Sequence, residues 1–174
     1  MRRIRERIGP NRAPISERNG KGKATRRFKA APAMAKRRPM DAPTPLAASS
    51  LVALGGAIGS LLRYQAGRLL THVLGPTAVT AFPWATLTVN VLGSLAMGLL
   101  AGLLARHGQG GEHWRLFVGV GLLGGFTTFS SFSLELAMLI NRGQGAQAFL
   151  YGAVSLLAGL SALYLGLIAM RIAG

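Results

Sequence analysis

The chain has 174 residues, half of them apolar, with 24 glycines and no cysteine. Residues 1–41 hold 14 of the 20 Lys and Arg and carry a net charge of +11, whereas residues 42–174 hold six Arg, no Lys and two Glu, a net of +4. A basic balance confined to one end excludes reading the whole chain as a nucleic-acid binder, and the lack of cysteine excludes disulfides, thiol catalysis and thiolate metal sites.

Residues 1–45 are rich in Arg, Lys, Pro, Ala and Gly and poor in aromatic residues. Such a segment buries too little apolar surface to offset its ordering entropy, so it is predicted to be a disordered basic extension. Two readings of it stand side by side. Either the start codon is assigned too far upstream and Met40 is the true first residue, or the segment is a basic arm that meets anionic lipid headgroups.

Residues 46–174 form one membrane domain. A hydrocarbon core about 30 Å thick needs about 20 helical residues to cross it. Four apolar runs meet that length, at about 47–70, 83–105, 114–140 and 146–170, predicting an all-α protein with four spans. Pro83 suits a first helical turn, where its missing N–H matters least, and Trp84 suits a membrane interface. The links at 106–112 and 141–145 are short, polar and glycine-rich. Small residues recur at four-residue spacing, Gly55/Gly59, Ser94/Gly98/Gly102 and Gly121/Gly125, which predicts close helix packing, chiefly within one subunit.

Charge also bears on orientation. Without the basic extension, Arg106, Arg115 and Arg171 on one side face Arg68 and Arg142 on the other, almost no positive-inside bias. Such a chain can insert both ways and form an antiparallel pair. With the extension the balance becomes 17 against two, which favours one orientation and calls for an oppositely oriented homologue as partner.

The polar residues inside the spans are the candidates for function. Thr86, Asn90 and Ser94 share one face of the second span. A buried amide needs partners, and Asn90 is open to the plain reading of a bond to a neighbouring helix. The third span carries Gly124-Gly125-Phe126-Thr127-Thr128-Phe129-Ser130-Ser131-Phe132-Ser133, two glycines and then a hydroxyl-rich run. A helix break here would release backbone carbonyls able to coordinate a cation. Phe129 and Phe132 fall on one side, and their electropositive ring edges can face an anion without holding it as tightly as a lysine; packing is the plain alternative. Tyr151, Ser155 and Gly159 line up on the fourth span. Glu135 is an intramembrane carboxylate or a solvated one near the interface, and Arg63 a capping, pairing or snorkelling arginine. His72, His107 and His113 are scattered and show no metal-ligand spacing, and no nucleophile–base pair is visible, so an enzyme is not expected.

Taken together, these segments resemble the Fluc/CrcB fluoride-channel family. The resemblance rests on Gly55-Gly56-Ala57-Ile58-Gly59-Ser60-Leu61-Leu62-Arg63-Tyr64, on Pro83 to Asn90 followed by Gly93, and on Gly124 to Glu135, and it covers about residues 50–171. It implies a dual-topology antiparallel homodimer with a third helix broken near its middle, in a bacterial cell membrane, exporting fluoride by passive flow. The implied fluoride pathway is Phe129, Phe132, Asn90, Thr86, Tyr151, Ser155, Thr128 and Ser131. The implied cofactor is a structural sodium ion held by the carbonyls of Gly124 and Thr127 from both subunits. Family members can carry a serine where this chain has Gly159. Fluoride is strongly hydrated, so a pore must replace its water with many neutral donors while still letting the ion leave. A small multidrug exporter is the main rival, but it needs a first-span carboxylate that is missing here. A membrane scaffold recruited by the basic extension would leave the hydroxyl run unexplained.

Overall fold

The computed structural model describes residues 43–107 and 111–173. The expected disorder of residues 1–45 and the alternative start at Met40 therefore lie almost wholly outside the described residues. Within them all regular structure is helical, and four segments are long and apolar enough to cross a membrane: Pro45–Leu74, Trp84–Arg106, Glu112–Asn141 and Gly145–Ile172.

Helix α1 (Pro45–Leu74) opens with the Thr44 hydroxyl accepting the Ala47 N–H at 3.3 Å and with Pro45 in its first turn. It ends at Gly75, whose φ of 83° suits a residue without a Cβ. Pro76 then starts a short helix, α2 (Pro76–Ala81), which the apolar-run reading did not anticipate. Helix α3 (Trp84–His107) follows, with the Pro83 carbonyl accepting the Leu87 N–H.

The third span is irregular. After one turn, α4 (Glu112–Trp114), residues Arg115–Leu123 wind as a π-helix, where the Gly124 N–H reaches the carbonyl of Gly119. A turn of α-helix, α5 (Gly124–Phe126), leads to Thr127 and Thr128, both extended (φ/ψ −83°/158° and −150°/120°). Helix α6 (Phe129–Asn141) then resumes, capped by the Thr128 hydroxyl, which accepts the Ser131 N–H. Helix α7 (Gly145–Ile172) completes the domain.

Helix α3 packs along α7, and α1 along the π-helix and α5. The small-residue stripes make both contacts possible. A Cβ on Gly98 would strike the Leu163 carbonyl, and one on Gly59 would strike the Leu122 carbonyl and come within 2.8 Å of the Phe126 nitrogen. The stripes thus serve packing within one chain, as expected. Leu54, Leu61 and Leu69 on α1 and Leu157, Leu160 and Leu165 on α7 point outward, as lipid-facing side chains do.

Gly59→Ala is therefore expected to destabilise the protein by about 1–3 kcal/mol through overpacking. Gly67→Ala, where nothing lies within 4 Å of the added carbon, should be neutral. Thermal unfolding in detergent distinguishes the two, and equal midpoints would refute this account of the α1 contact.

Candidate functional site

The polar face of α3 meets the third and fourth spans at three successive levels. At the first level the Thr86 hydroxyl donates to one oxygen of the Glu135 carboxyl at 2.7 Å, and the Tyr151 hydroxyl donates to the other at 2.7 Å. Three spans are joined through one carboxyl. Thr86 is buried and Tyr151 is fully buried, within a core of Leu87, Leu139 and Ala148. Each hydroxyl has a single proton, and here both protons are committed to Glu135. Glu135 is accordingly a partnered carboxyl on the inner side of α6 rather than a freely solvated one.

One turn along α3, the Asn90 amide spans the interruption in the third span. Its Nδ2 donates to the Thr128 carbonyl at 3.1 Å, and its Oδ1 accepts the Thr128 N–H at 2.9 Å. Asn90 thus satisfies both backbone groups of a residue that no helix serves. In an unbroken helix the Thr128 N–H would bond the Gly124 carbonyl and the Ser131 N–H would bond the Thr127 carbonyl. Here the first goes to Asn90 and the second to the Thr128 hydroxyl, so both carbonyls lose their usual donor. The Thr128 hydroxyl also lies 3.2 Å from those of Ser130 and Ser131.

At the third level Ser94 faces Gly159: a Cβ there would sit 3.6 Å from the Ser94 hydroxyl oxygen. The gap on α7 is therefore lined by a hydroxyl from α3. Between these levels the Ser155 hydroxyl is buried and has no hydrogen-bond partner among the described residues. An unpartnered buried hydroxyl is costly, and a ligand or a water would relieve it.

The aromatic residues form a continuous line. The Phe129 and Phe132 ring centres are 5.7 Å apart, Phe132 and Tyr151 are 5.1 Å apart, and Phe82 meets Tyr151 edge-on at 5.5 Å. Phe132 is half-buried against the core, whereas Phe129 is 78% exposed on the single chain. Phe82 was not singled out in the sequence, whereas Ser94 was placed on the face of Thr86 and Asn90 without being assigned to the pathway. Arg63 stands apart, lining an open cleft of about 470 Å³ with Tyr64, Arg68 and Thr71, and it forms no ion pair among the described residues.

Comparison with known proteins bears on this arrangement. The model of the family described as CrcB-like protein, Camphor Resistance (CrcB), matches residues 50–167, which include every residue of the three levels. The chain belongs to that family. Among its CrcB-like relatives, a protein of Novosphingobium aromaticivorans is 58% identical over 126 residues, 72% of this chain and 98% of the relative. One of Erythrobacter litoralis is 54% identical over 129 residues, 74% of this chain and 95% of the relative. One of Caulobacter vibrioides is 50% identical over 122 residues, 70% and 93% of the respective chains. All three bear the name fluoride-specific ion channel FluC. With four spans and this membership, the protein is a multi-pass membrane protein of a channel family, a transporter rather than an enzyme.

Proposed function

We propose that this protein is a fluoride-specific channel of the bacterial inner membrane, which lets fluoride leave the cytoplasm by passive flow and so lowers its toxicity. The observation that carries this reading is the line of neutral donors and ring edges along α3, α6 and α7, with the Ser155 hydroxyl buried and unpartnered within it. A small, strongly hydrated anion needs directed donors in place of water, and it needs them weak enough to release it. One N–H of the Asn90 amide has no partner among the described residues and is available to the ion. At the Glu135 level an anion would take over the Thr86 and Tyr151 hydroxyl protons in turn, the carboxyl serving as the resident acceptor that keeps them poised. Ser94 supplies the hydroxyl that Gly159 lacks.

The working unit in this reading is an antiparallel homodimer with the third helix broken at Thr127-Thr128. Phe129 and Ser130 are exposed on a single chain, and an aromatic–hydroxyl face within a membrane span is better matched by a second subunit than by lipid. An oppositely oriented homologue takes the partner's place if the basic extension holds the chain in one topology. The Gly124 and Thr127 carbonyls, each without its usual helical donor, fit a hard cation such as sodium. Two oxygens fall short of a full shell, so the same pair from a second subunit completes it. When bound there, sodium would neutralise the free carbonyl dipoles and hold the two interruptions together.

Fluoride efflux from liposomes holding the purified full chain, beside a 40–174 variant and a chloride control, tests this reading. Fast fluoride-selective efflux from both supports the channel and makes the extension dispensable. No efflux from a well-folded protein would sink it. Phe129→Ile is a sharper probe of the residue assignment. Because the ring is exposed on the chain, its loss should leave the unfolding midpoint of the monomer's core nearly unchanged. Efflux should nonetheless fall about tenfold or more, the equivalent of about 1.4 kcal/mol of lost anion stabilisation. Unchanged efflux would remove Phe129 from the pathway.

A further inference from the structure

A small cavity of about 160 Å³ opens between α2, the start of α3 and the end of α6. Glu135 forms part of its wall and Arg142 another, with Thr80, Pro83 and Met138 also lining it. Glu135 and Arg142 are seven residues apart, two helical turns, hence on one side of α6 and roughly 10 Å apart along its axis. The helical register holds that far, because the Arg142 N–H still bonds the Met138 carbonyl. The Arg142 guanidinium donates to the Thr80 carbonyl at 3.4 Å, which keeps it over the cavity. It is exposed and forms no ion pair among the described residues.

This placement has an electrostatic consequence. The cavity reaches the donor line at Glu135, whose carboxyl holds the Thr86 and Tyr151 hydroxyls. An anion entering here meets a carboxyl in the wall, which repels it unless a positive charge stands close by. Apolar walls focus such a field instead of screening it. We propose that this cavity is an entrance to the anion pathway and that Arg142 is the charge that draws the anion into it, offsetting Glu135. The inference rests on the channel reading and adds to it a mouth and a residue that acts on entry rather than on permeation through the core.

The experiment is fluoride efflux from liposomes holding the full chain, with Arg142 replaced, at two ionic strengths. The screening length is about 30 Å at 0.01 M and about 8 Å at 0.15 M, so attraction over the length of this cavity is felt at the first and largely lost at the second. Arg142→Gln should slow efflux about two- to fourfold at low salt, with the difference closing at high salt. Arg142→Lys should keep the wild-type rate, and Arg142→Glu should be slower than Arg142→Gln. An Arg142→Gln rate equal to wild type at low salt overturns the inference. So does a loss of equal size at both salts that Lys fails to rescue, since that pattern belongs to the bond with Thr80. If the unmodified chain releases no fluoride, the channel reading fails first and takes this inference with it; fast wild-type efflux with an indifferent Arg142 sinks the inference alone.

Discussion

Asn90→Ala is expected to lower fluoride efflux by about tenfold or more and to destabilise the protein at the same time. The two effects have separable origins. The amide satisfies the N–H and the carbonyl of Thr128, so its removal strands two backbone groups at a point with no helical partner. Each buried group left unpaired costs about 1–3 kcal/mol, less where water enters. In the proposed pathway the remaining amide N–H is the donor offered to the ion, and alanine deletes that as well. Asn90→Asp would not separate the two roles. It keeps an acceptor for the Thr128 N–H but loses both N–H donors and puts a carboxylate against the Thr128 carbonyl. If Asn90 serves only to hold the interruption, a variant that folds should conduct in proportion to its folded fraction. A folded, monodisperse Asn90→Ala with wild-type efflux would remove the amide from the pathway and leave it as a backbone clamp.

The spans were legible in the sequence because the bilayer sets a length that few other structures demand. Four apolar runs of sufficient length had one plausible arrangement, and the observed helices overrun the expected bounds by at most four residues, as at Leu74. The small-residue stripes were legible for a related reason, since spacing alone tells which residues share a helix face. Local departures from regular helix were less so. The six-residue α2 follows from Gly75 and Pro76, a stop and a start in succession, but it lies between the first two apolar runs, where span length gives no guide. The π-helix at Arg115–Leu123 leaves no mark on hydropathy; the only hint is the density of glycines from Gly119 to Gly125.

Partnerships at the candidate site were the least accessible. Thr86, Asn90, Glu135 and Tyr151 could each be picked out as polar residues in apolar runs. Nothing in their spacing says that Thr86 meets Glu135 across 49 positions, or that Asn90 meets Thr128 across 38. Those pairings follow from the register in which α3 lies against α6, which depends on every side chain between them. They also alter what the residues can do. Thr86 and Tyr151, read alone, are free donors; read together, both are already occupied by the Glu135 carboxyl, which in the proposed pathway the ion would displace.

Glu135→Gln tests that last point, and it sets two effects of opposite sign against each other. A carboxylate and an anion about 4 Å apart repel by about 1 kcal/mol in bulk water and by about 4 kcal/mol at an effective dielectric constant of 20. On that ground alone, removing the charge should speed fluoride. Against it stands what the carboxyl holds. It accepts from Thr86 and from the fully buried Tyr151, whereas a glutamine has one carbonyl oxygen and one NH₂ group. One hydroxyl keeps its acceptor; the other faces a donor and must turn away from the position an ion would use. A misdirected buried hydroxyl costs about 1–3 kcal/mol, and the next level along the line loses its alignment with it. We expect misalignment to prevail, with efflux reduced about tenfold and the unfolding midpoint lowered. Tyr151→Phe should lose efflux too, and the double variant should lose little more than either single one, because the two residues act as a unit. Efflux that rises in Glu135→Gln would instead make the carboxyl a barrier in the path, with Thr86 and Tyr151 there to hold it rather than the reverse.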